Sequence, residues 1–190
     1  FPCEYADIKG VEMPEYGEEI LFELSQNNTV GLYNNEGVAI IPIGKYETYV
    51  YRPPFFHVEQ KGLWGVCSDK GDELVPCKYK SIAATSKLFI VAAADGKQGL
   101  VDFNGQELFP FVSSTIVEVL PDHIKVSDGG SKFGALNYQG QVIVPVKNQP
   151  ENVAKKVETY ANKNDLKAEN AAVTENVDIA YNAFKYRYHQ

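Results

Sequence analysis

Short apolar runs alternate with polar turns along most of the chain. The most regular run is an adjacent pair of large apolar residues followed directly by a proline. The four pairs are Ile40-Ile41, Leu74-Val75, Leu108-Phe109 and Ile143-Val144. Two neighbouring apolar residues in a short strand indicate burial on both faces of a sheet. Because proline cannot donate to a β-ladder, it either ends the strand or lies on an edge, and we expect it to end the strand.

Two glycines precede each proline at a fixed spacing. The second glycine follows the first by six residues, and the proline follows five residues later. The sets are Gly31, Gly37 and Pro42; Gly65, Gly71 and Pro76; Gly99, Gly105 and Pro110; and Gly134, Gly140 and Pro145. The first glycines lie 34, 34 and 35 residues apart, a period that indicates a repeat protein.

The second glycine of each set closes a predicted hairpin turn. It is the fourth residue of a tetrad that begins with Asn, Ser or Asp, as in Ser68-Asp69-Lys70-Gly71. This order is typical of a type I turn followed by a glycine bulge with positive φ. All motif glycines and prolines are therefore explained by backbone geometry, and we predict that they are scaffold residues.

A third apolar strand precedes each hairpin, for example Leu21–Leu24. The predicted unit is a three-stranded antiparallel β-meander with a short connector. One meander cannot bury both faces, so neighbouring units must stack. We predict a mainly β chain of about four tandem repeats. Three strands per unit favour an open curved array, because propeller blades use four strands, and a propeller-like ring is the alternative. The predicted units are 1–20 (partial), 21–54, 55–87, 88–122 and 123–149.

Both ends of the chain depart from the regular repeat. Pro2-Cys3-Glu4-Tyr5 matches Pro76-Cys77-Lys78-Tyr79, so the chain is predicted to begin with the tail of an earlier unit and a longer, acidic connector. After Pro150 the glycines disappear, and apolar residues at helical spacing predict helices at about 151–162 and 166–187. We expect the segment 150–190 to cap the last repeat, with a helical-repeat or dimerising segment as the alternative.

Residues 62–79 resemble a WG repeat. They combine Trp64-Gly65 with a D-x-x-G-type turn, an apolar pair, Pro76 and Tyr79. The resemblance covers roughly residues 1–149, although the other units have Val30, Gln98 and Phe133 at the tryptophan position. WG repeats are mostly bacterial, and the resemblance implies a β-repeat array with an interaction role. It implies no reaction and no catalytic residue.

Charge and cysteine content narrow the classes of function. The net charge is −7, and residues 1–20 alone contribute −5. With no basic face to neutralise phosphates, nucleic-acid binding is not expected. No apolar run reaches the roughly 20 residues of a membrane span, so membrane insertion is not expected either. Cys3, Cys67 and Cys77 are an odd set, and the register separates Cys67 from Cys77, so no disulfide is expected.

No catalytic constellation is visible in the sequence. His57, His123 and His189 lie far apart, no C-x-x-C pair occurs, and no nucleophile or phosphate-loop motif is present. We therefore predict that the chain is not an enzyme and needs no cofactor or metal ion. Cytoplasmic and exported locations are both compatible with these features, and the sequence does not set the oligomeric state.

Aromatic residues around the second connector are the best candidates for binding. Tyr49, Tyr51, Arg52, Phe55 and Trp64 are of the types enriched in binding hot spots. We interpret the chain as a non-catalytic interaction or scaffold module with a protein partner. The alternatives are a cell-envelope or carbohydrate-binding module and the recognition region of a larger enzyme.

Overall fold

The computed structural model describes residues 5–13, 20–112 and 114–188, which form β-strands and two C-terminal helices. The strands are β1 (Asp7–Glu12), β2 (Ile20–Gln26), β3 (Thr29–Tyr33), β4 (Ala39–Tyr46), β5 (Thr48–Arg52), β6 (Phe55–Gln60), β7 (Leu63–Ser68), β8 (Glu73–Tyr79), β9 (Ser81–Ala84), β10 (Leu88–Ala92), β11 (Gln98–Asp102), β12 (Glu107–Val112), β13 (Thr115–Val119), β14 (Ile124–Ser127), β15 (Phe133–Leu136) and β16 (Val142–Asn148). The helices are α1 (Pro150–Ala161) and α2 (Leu166–Tyr188). No described helix is long and apolar enough to cross a membrane.

The strands form four antiparallel sheets, each built from four consecutive strands. The meander predicted from sequence is present in every sheet as its last three strands. The predicted connector adds a fourth strand, so three strands per unit is an undercount. Each added strand pairs with the meander that follows it, which moves the unit boundaries to the residues just before β1, β5, β9 and β13. The open curved array was inferred from three strands and stays a prediction.

The hairpin turns have the predicted geometry. Gly37, Gly71, Gly105 and Gly140 have φ values of 80°, 89°, 82° and 79°. In the last turn the Gly140 amide donates to the Asn137 carbonyl at 3.0 Å, which closes the type I turn. The Asn137 side-chain oxygen also accepts from the amides of Gln139 and Gln141. The recurring spacing therefore encodes a side-chain-capped turn with a glycine bulge.

The motif prolines do not end their strands, contrary to expectation. Pro42, Pro76, Pro110 and Pro145 lie inside β4, β8, β12 and β16. Each of these strands is an edge strand and has a register shift against its neighbour. An edge position needs no amide donor on its outer side, so proline is tolerated there. The first glycine of each set lies opposite this shift, and a Cβ on Gly65 would be only 2.6 Å from the Val75 carbonyl oxygen.

The chain divides into two compact units. The first contains the two sheets β1–β4 and β5–β8. The second, residues 81–187, contains the two remaining sheets and the helical region. In the first unit, Leu21, Leu32 and Ile41 of one sheet share a core with Phe56 and Val58 of the other. Stacked sheets thus bury the apolar faces that a single meander leaves open.

The helices pack within the second unit. Val153 and Val157 of α1 lie against Ala135 and Val144 of the last sheet. Val177 of α2 joins a different core, one built from both sheets of this unit. The C-terminal segment therefore covers more than the last repeat alone.

Candidate functional site

The aromatic residues predicted to bind a partner do not form one surface. Tyr49 and Tyr51 lie on one face of β5 and are half-buried. Their rings pack on Phe56, with ring centroids 5.8 Å and 4.5 Å away. This face belongs to the core that the first two sheets share. The two tyrosines thus contribute to packing.

The other three predicted residues lie on the opposite face of the same sheet. Phe55 pairs with Arg52 across β5 and β6 and is buried, whereas Arg52 is exposed. Trp64 is half-buried and lies opposite Glu59, at the far end of β6 from Phe55. Because side chains alternate along a strand, the five predicted residues divide between two faces. They keep no common contact surface in this arrangement.

Tyr49 also belongs to a polar contact between the first two sheets. Its hydroxyl donates to Glu23 Oε2 at 2.6 Å, and Lys9 Nζ lies 2.6 Å from Glu23 Oε1. Burial alone would raise the pKa of Glu23, but the hydrogen bonds from Lys9 and Tyr49 outweigh it and lower that pKa. Burial, together with the bond to Glu23, raises the pKa of Tyr49. The tyrosine therefore stays protonated and holds the two sheets together.

The described part of the first unit contains a buried histidine and two free thiols. His57 is 3% exposed, its Nε2 has no hydrogen-bond partner among the described residues, and burial lowers its pKa to about 4. Cys67 and Cys77 are free thiols, and burial raises the pKa of Cys77 to about 11. Cys3 lies outside the described residues. Within those residues, no three His, Cys, Asp or Glu side chains could hold a metal ion.

A cleft of about 220 Å³ lies in the second compact unit, between α2 and two hairpin turns. We call it the α2 cleft. One wall is the β9–β10 turn, the second is the β13–β14 turn, and the third is the segment of α2 around Val177. Among its lining residues, Leu88, Tyr138 and Val177 are buried, and Val119 and Leu120 are half-buried. Most of the lining surface is apolar, and the polar residues Thr85, Ser86, Lys87, Thr174 and Asp178 also line the cleft.

An ion pair lies at the rim of the α2 cleft. Lys87 Nζ is 2.6 Å from Asp178 Oδ1, and both side chains are about half exposed. The same ammonium group lies 5.8 Å from the centre of the Tyr181 ring. An exposed pair of this kind adds only about 0–1 kcal/mol to stability, so either side chain can turn toward a ligand at small cost.

Buried hydrogen bonds fix the helical wall of the cleft. Asn170 is 2% exposed, and its Oδ1 accepts from the Tyr138 amide at 2.9 Å. Its Nδ2 donates to the Asp122 carbonyl at 2.6 Å. The Glu169 carboxylate accepts from Asn137 Nδ2 at 3.4 Å. One side-chain amide thus ties α2 to two turns, and the cleft is pre-formed.

Three hydroxyl groups that line the cleft form hydrogen bonds to backbone carbonyls. Tyr138 Oη donates to the Leu120 carbonyl at 2.7 Å, and burial raises the Tyr138 pKa to about 12. Thr85 Oγ1 donates to the Leu88 carbonyl, and Thr174 Oγ1 donates to the Asn170 carbonyl. None of these three hydroxyls is paired with a histidine or carboxylate base in these contacts.

Sequence reasoning did not identify the α2 cleft. Its rim pair joins Lys87 and Asp178, which are 91 residues apart. The local signal was the helical spacing of apolar residues after Pro150, Val173 and Val177 among them, which predicted a helical stripe packed as a cap. That stripe is indeed packed, and the cleft forms beside it.

Comparisons with known proteins give only weak likenesses. No family model and no curated protein matches the chain. Among solved structures it is similar to the computationally designed Ika8 protein (14% identity, 75% of this chain and 50% of that chain, TM-score 0.39). It is also similar to BamB from Moraxella catarrhalis, with 12% identity over 74% of this chain and 50% of that chain and a TM-score of 0.39. The likeness to HIRA(644-1017) has 12% identity over 96% of this chain and 81% of that chain and a TM-score of 0.40. The chain thus spans about half the length of the first two, and these TM-scores support no inference about function.

Proposed function

We propose that this chain is a non-catalytic interaction module and that the α2 cleft receives an apolar side chain of a protein partner. The observation that carries the proposal is the pre-formed apolar cleft with a weakly held ion pair at its rim. Concave apolar sites with a few convergent polar groups are the usual ligand sites of proteins. We also retain, as a proposal, the assignment of the β-sheet region to degenerate WG repeats.

The size of the α2 cleft favours one anchoring side chain over a larger cofactor. Pockets for drug-sized ligands usually occupy about 300–1,000 Å³, and this cleft holds about 220 Å³. Burying one leucine- or phenylalanine-sized side chain contributes about 1.5–3 kcal/mol. Since association also costs translational and rotational freedom, the partner must make further contacts outside the cleft.

The test is selection of peptides from a random phage-displayed 12-residue library on the full chain, followed by titration of each selected peptide. We expect the selected peptides to share an apolar residue and to bind the wild-type chain. The variant Val119→Trp fills the cleft from its side and should abolish that binding. The matched control is Val117→Trp, because Val117 is on the same strand, is 45% exposed and does not line the cleft.

Two results would contradict the proposal. Peptides that bind Val119→Trp as tightly as wild type would place the binding surface elsewhere. Turnover of a broad panel of hydrolase substrates by the purified chain would show that the module is catalytic. Circular dichroism of both variants confirms that the fold is retained before either result is interpreted.

A further inference from the structure

Two side chains of α2 converge on one cation at the rim of the α2 cleft. Asp178 Oδ1 lies 2.6 Å from Lys87 Nζ, and the same ammonium group lies 5.8 Å from the centre of the Tyr181 ring. Asp178 and Tyr181 are three residues apart on one helix, so they are neighbours on its surface. The Tyr181 ring also packs against buried Phe103, with ring centroids 6.2 Å apart. We call Asp178 and Tyr181 the rim cation site.

The cation that occupies the rim cation site comes from a turn and is weakly held. Lys87 lies between β9 and β10, and its side chain is 50% exposed. An ammonium group acts as a point charge on a flexible stem, whereas a guanidinium group forms two parallel hydrogen bonds to a carboxylate and stacks on aromatic rings. An arginine from outside the chain therefore fits the rim cation site better than Lys87 does.

The charges around the α2 cleft favour a basic ligand over an acidic one. The described residues that line the cleft or adjoin a lining residue in sequence include one base, Lys87, and four acids, Glu118, Asp122, Glu175 and Asp178. One base and four acids leave a local charge of −3. Burial raises the pKa of Tyr138, and the charges of Asp122 and Asp178 raise it further, so their field reaches the cleft lining. This field attracts a partner's arginine and repels a carboxylate.

We propose that the partner segment whose apolar side chain enters the α2 cleft also carries an arginine, and that this arginine replaces Lys87 at the rim cation site. Lys87 is then an internal competitor, which occupies the site in the free chain and moves into solvent when the partner binds. The lost pair is a weak one, because both of its side chains are about half exposed. The proposal rests on the proposed function, since it names a second contact made by the same partner.

The test uses the full chain and the peptides selected from the 12-residue phage library. Each selected peptide is synthesised with a fluorescent label, once as selected and once with glutamine in place of arginine, and dissociation constants are measured by fluorescence anisotropy. We expect arginine to occur more often in the selected peptides than in the unselected library. Replacing that arginine by glutamine should weaken binding to the wild-type chain about three- to fivefold.

Two variants and a control locate the effect. Lys87→Ala removes the competitor, so it should tighten binding of the arginine peptides about two- to fivefold and leave their glutamine versions unchanged. Asp178→Asn removes the carboxylate and should abolish most of the difference between the two versions. The matched control is Lys97→Ala, because Lys97 forms a similarly exposed ion pair with Asp95 at 2.8 Å and does not line the cleft. It changes the net charge equally and should leave both affinities unchanged.

The results against the rim cation site are distinct from those against the cleft. Unchanged or weaker binding of the arginine peptides to Lys87→Ala would overturn the proposal, since a competitor must oppose binding. Selected peptides without an arginine preference would overturn it as well, and if Val119→Trp still abolishes their binding, the proposed function stands. Selection without binders, or peptides that bind Val119→Trp as tightly as wild type, would overturn the proposed function and the rim proposal together.

Discussion

Alanine substitution at two equivalent turn glycines separates conformational strain from steric overlap. Gly37 and Gly71 occupy the same turn position, with φ values of 80° and 89°. A Cβ on Gly37 would have nothing within 4 Å, whereas a Cβ on Gly71 would overlap the carbonyl oxygen of Ile40 in the neighbouring sheet. Both substitutions therefore place alanine in a left-handed backbone conformation, and only Gly71→Ala adds a steric overlap.

The shared cost is the left-handed backbone, which disfavours an L-residue by about 1–2 kcal/mol. Alanine also restricts the unfolded chain, which returns about 0.4–1 kcal/mol. Gly37→Ala should therefore lower the free energy of unfolding by about 1 kcal/mol. Gly71→Ala must also move its turn away from Ile40, and forcing extra volume into a packed contact costs about 1–3 kcal/mol more.

The assay is urea unfolding at neutral pH, followed by far-UV circular dichroism and by the fluorescence of Trp64. We expect Gly71→Ala to be less stable than Gly37→Ala by about 1–3 kcal/mol. Equal losses for the two variants would refute the inference that the Gly71 turn packs on Ile40. A larger loss for Gly37→Ala would refute the steric argument altogether.

Three further predictions concern buried polar groups. The pKa of His57 is lowered from 6.5 to about 4, so the unfolded chain takes up the proton first. Stability should therefore fall by about 2 kcal/mol between pH 7.5 and pH 5, and urea unfolding of His57→Leu at both pH values should show a correspondingly smaller loss. Tyr49→Phe removes the 2.6 Å hydrogen bond to Glu23 and should lower the free energy of unfolding, measured by urea unfolding, by about 1.5–3 kcal/mol. An unchanged free energy of unfolding would show that this hydrogen bond is absent. Asn170→Ala leaves the Tyr138 amide without its hydrogen-bond acceptor. The substitution should lower the free energy of unfolding by about 1–3 kcal/mol and speed hydrogen exchange at the Tyr138 amide. Unchanged exchange at that amide would contradict the role of Asn170 in holding α2.

The strand and turn pattern could be predicted because it is local. The tetrad that ends in Gly71 and the pair Leu74-Val75 are set by φ preferences and by burial within a few residues. The fourth strand was missed because segments such as Ser81–Ala84 have four residues and one buried side chain. Such a short segment carries too little periodicity to be distinguished from a connector. The position of Pro76 within β8 was also missed, since an edge strand is recognised only after the sheet order is known.

The candidate sites could be predicted from the sequence less well than the fold could. Tyr49 and Trp64 were grouped by proximity along the chain, but strand alternation places them on opposite faces. Lys87 and Asp178 come together because α2 folds back across the sheets of the second unit. No spacing rule links residues so far apart, because their contact depends on helix packing.

The sequence by itself determined the repeat, its hairpins and the helical end of the chain. Each of these depends on backbone preferences and on hydrophobic periodicity within one unit of about 34 residues. The tertiary structure decided which faces are buried, which strands lie at the sheet edges and where the α2 cleft forms. These features depend on close packing between segments that are distant in sequence. Such packing is stabilised by complementary side-chain shapes and by burial, and a local sequence pattern specifies neither.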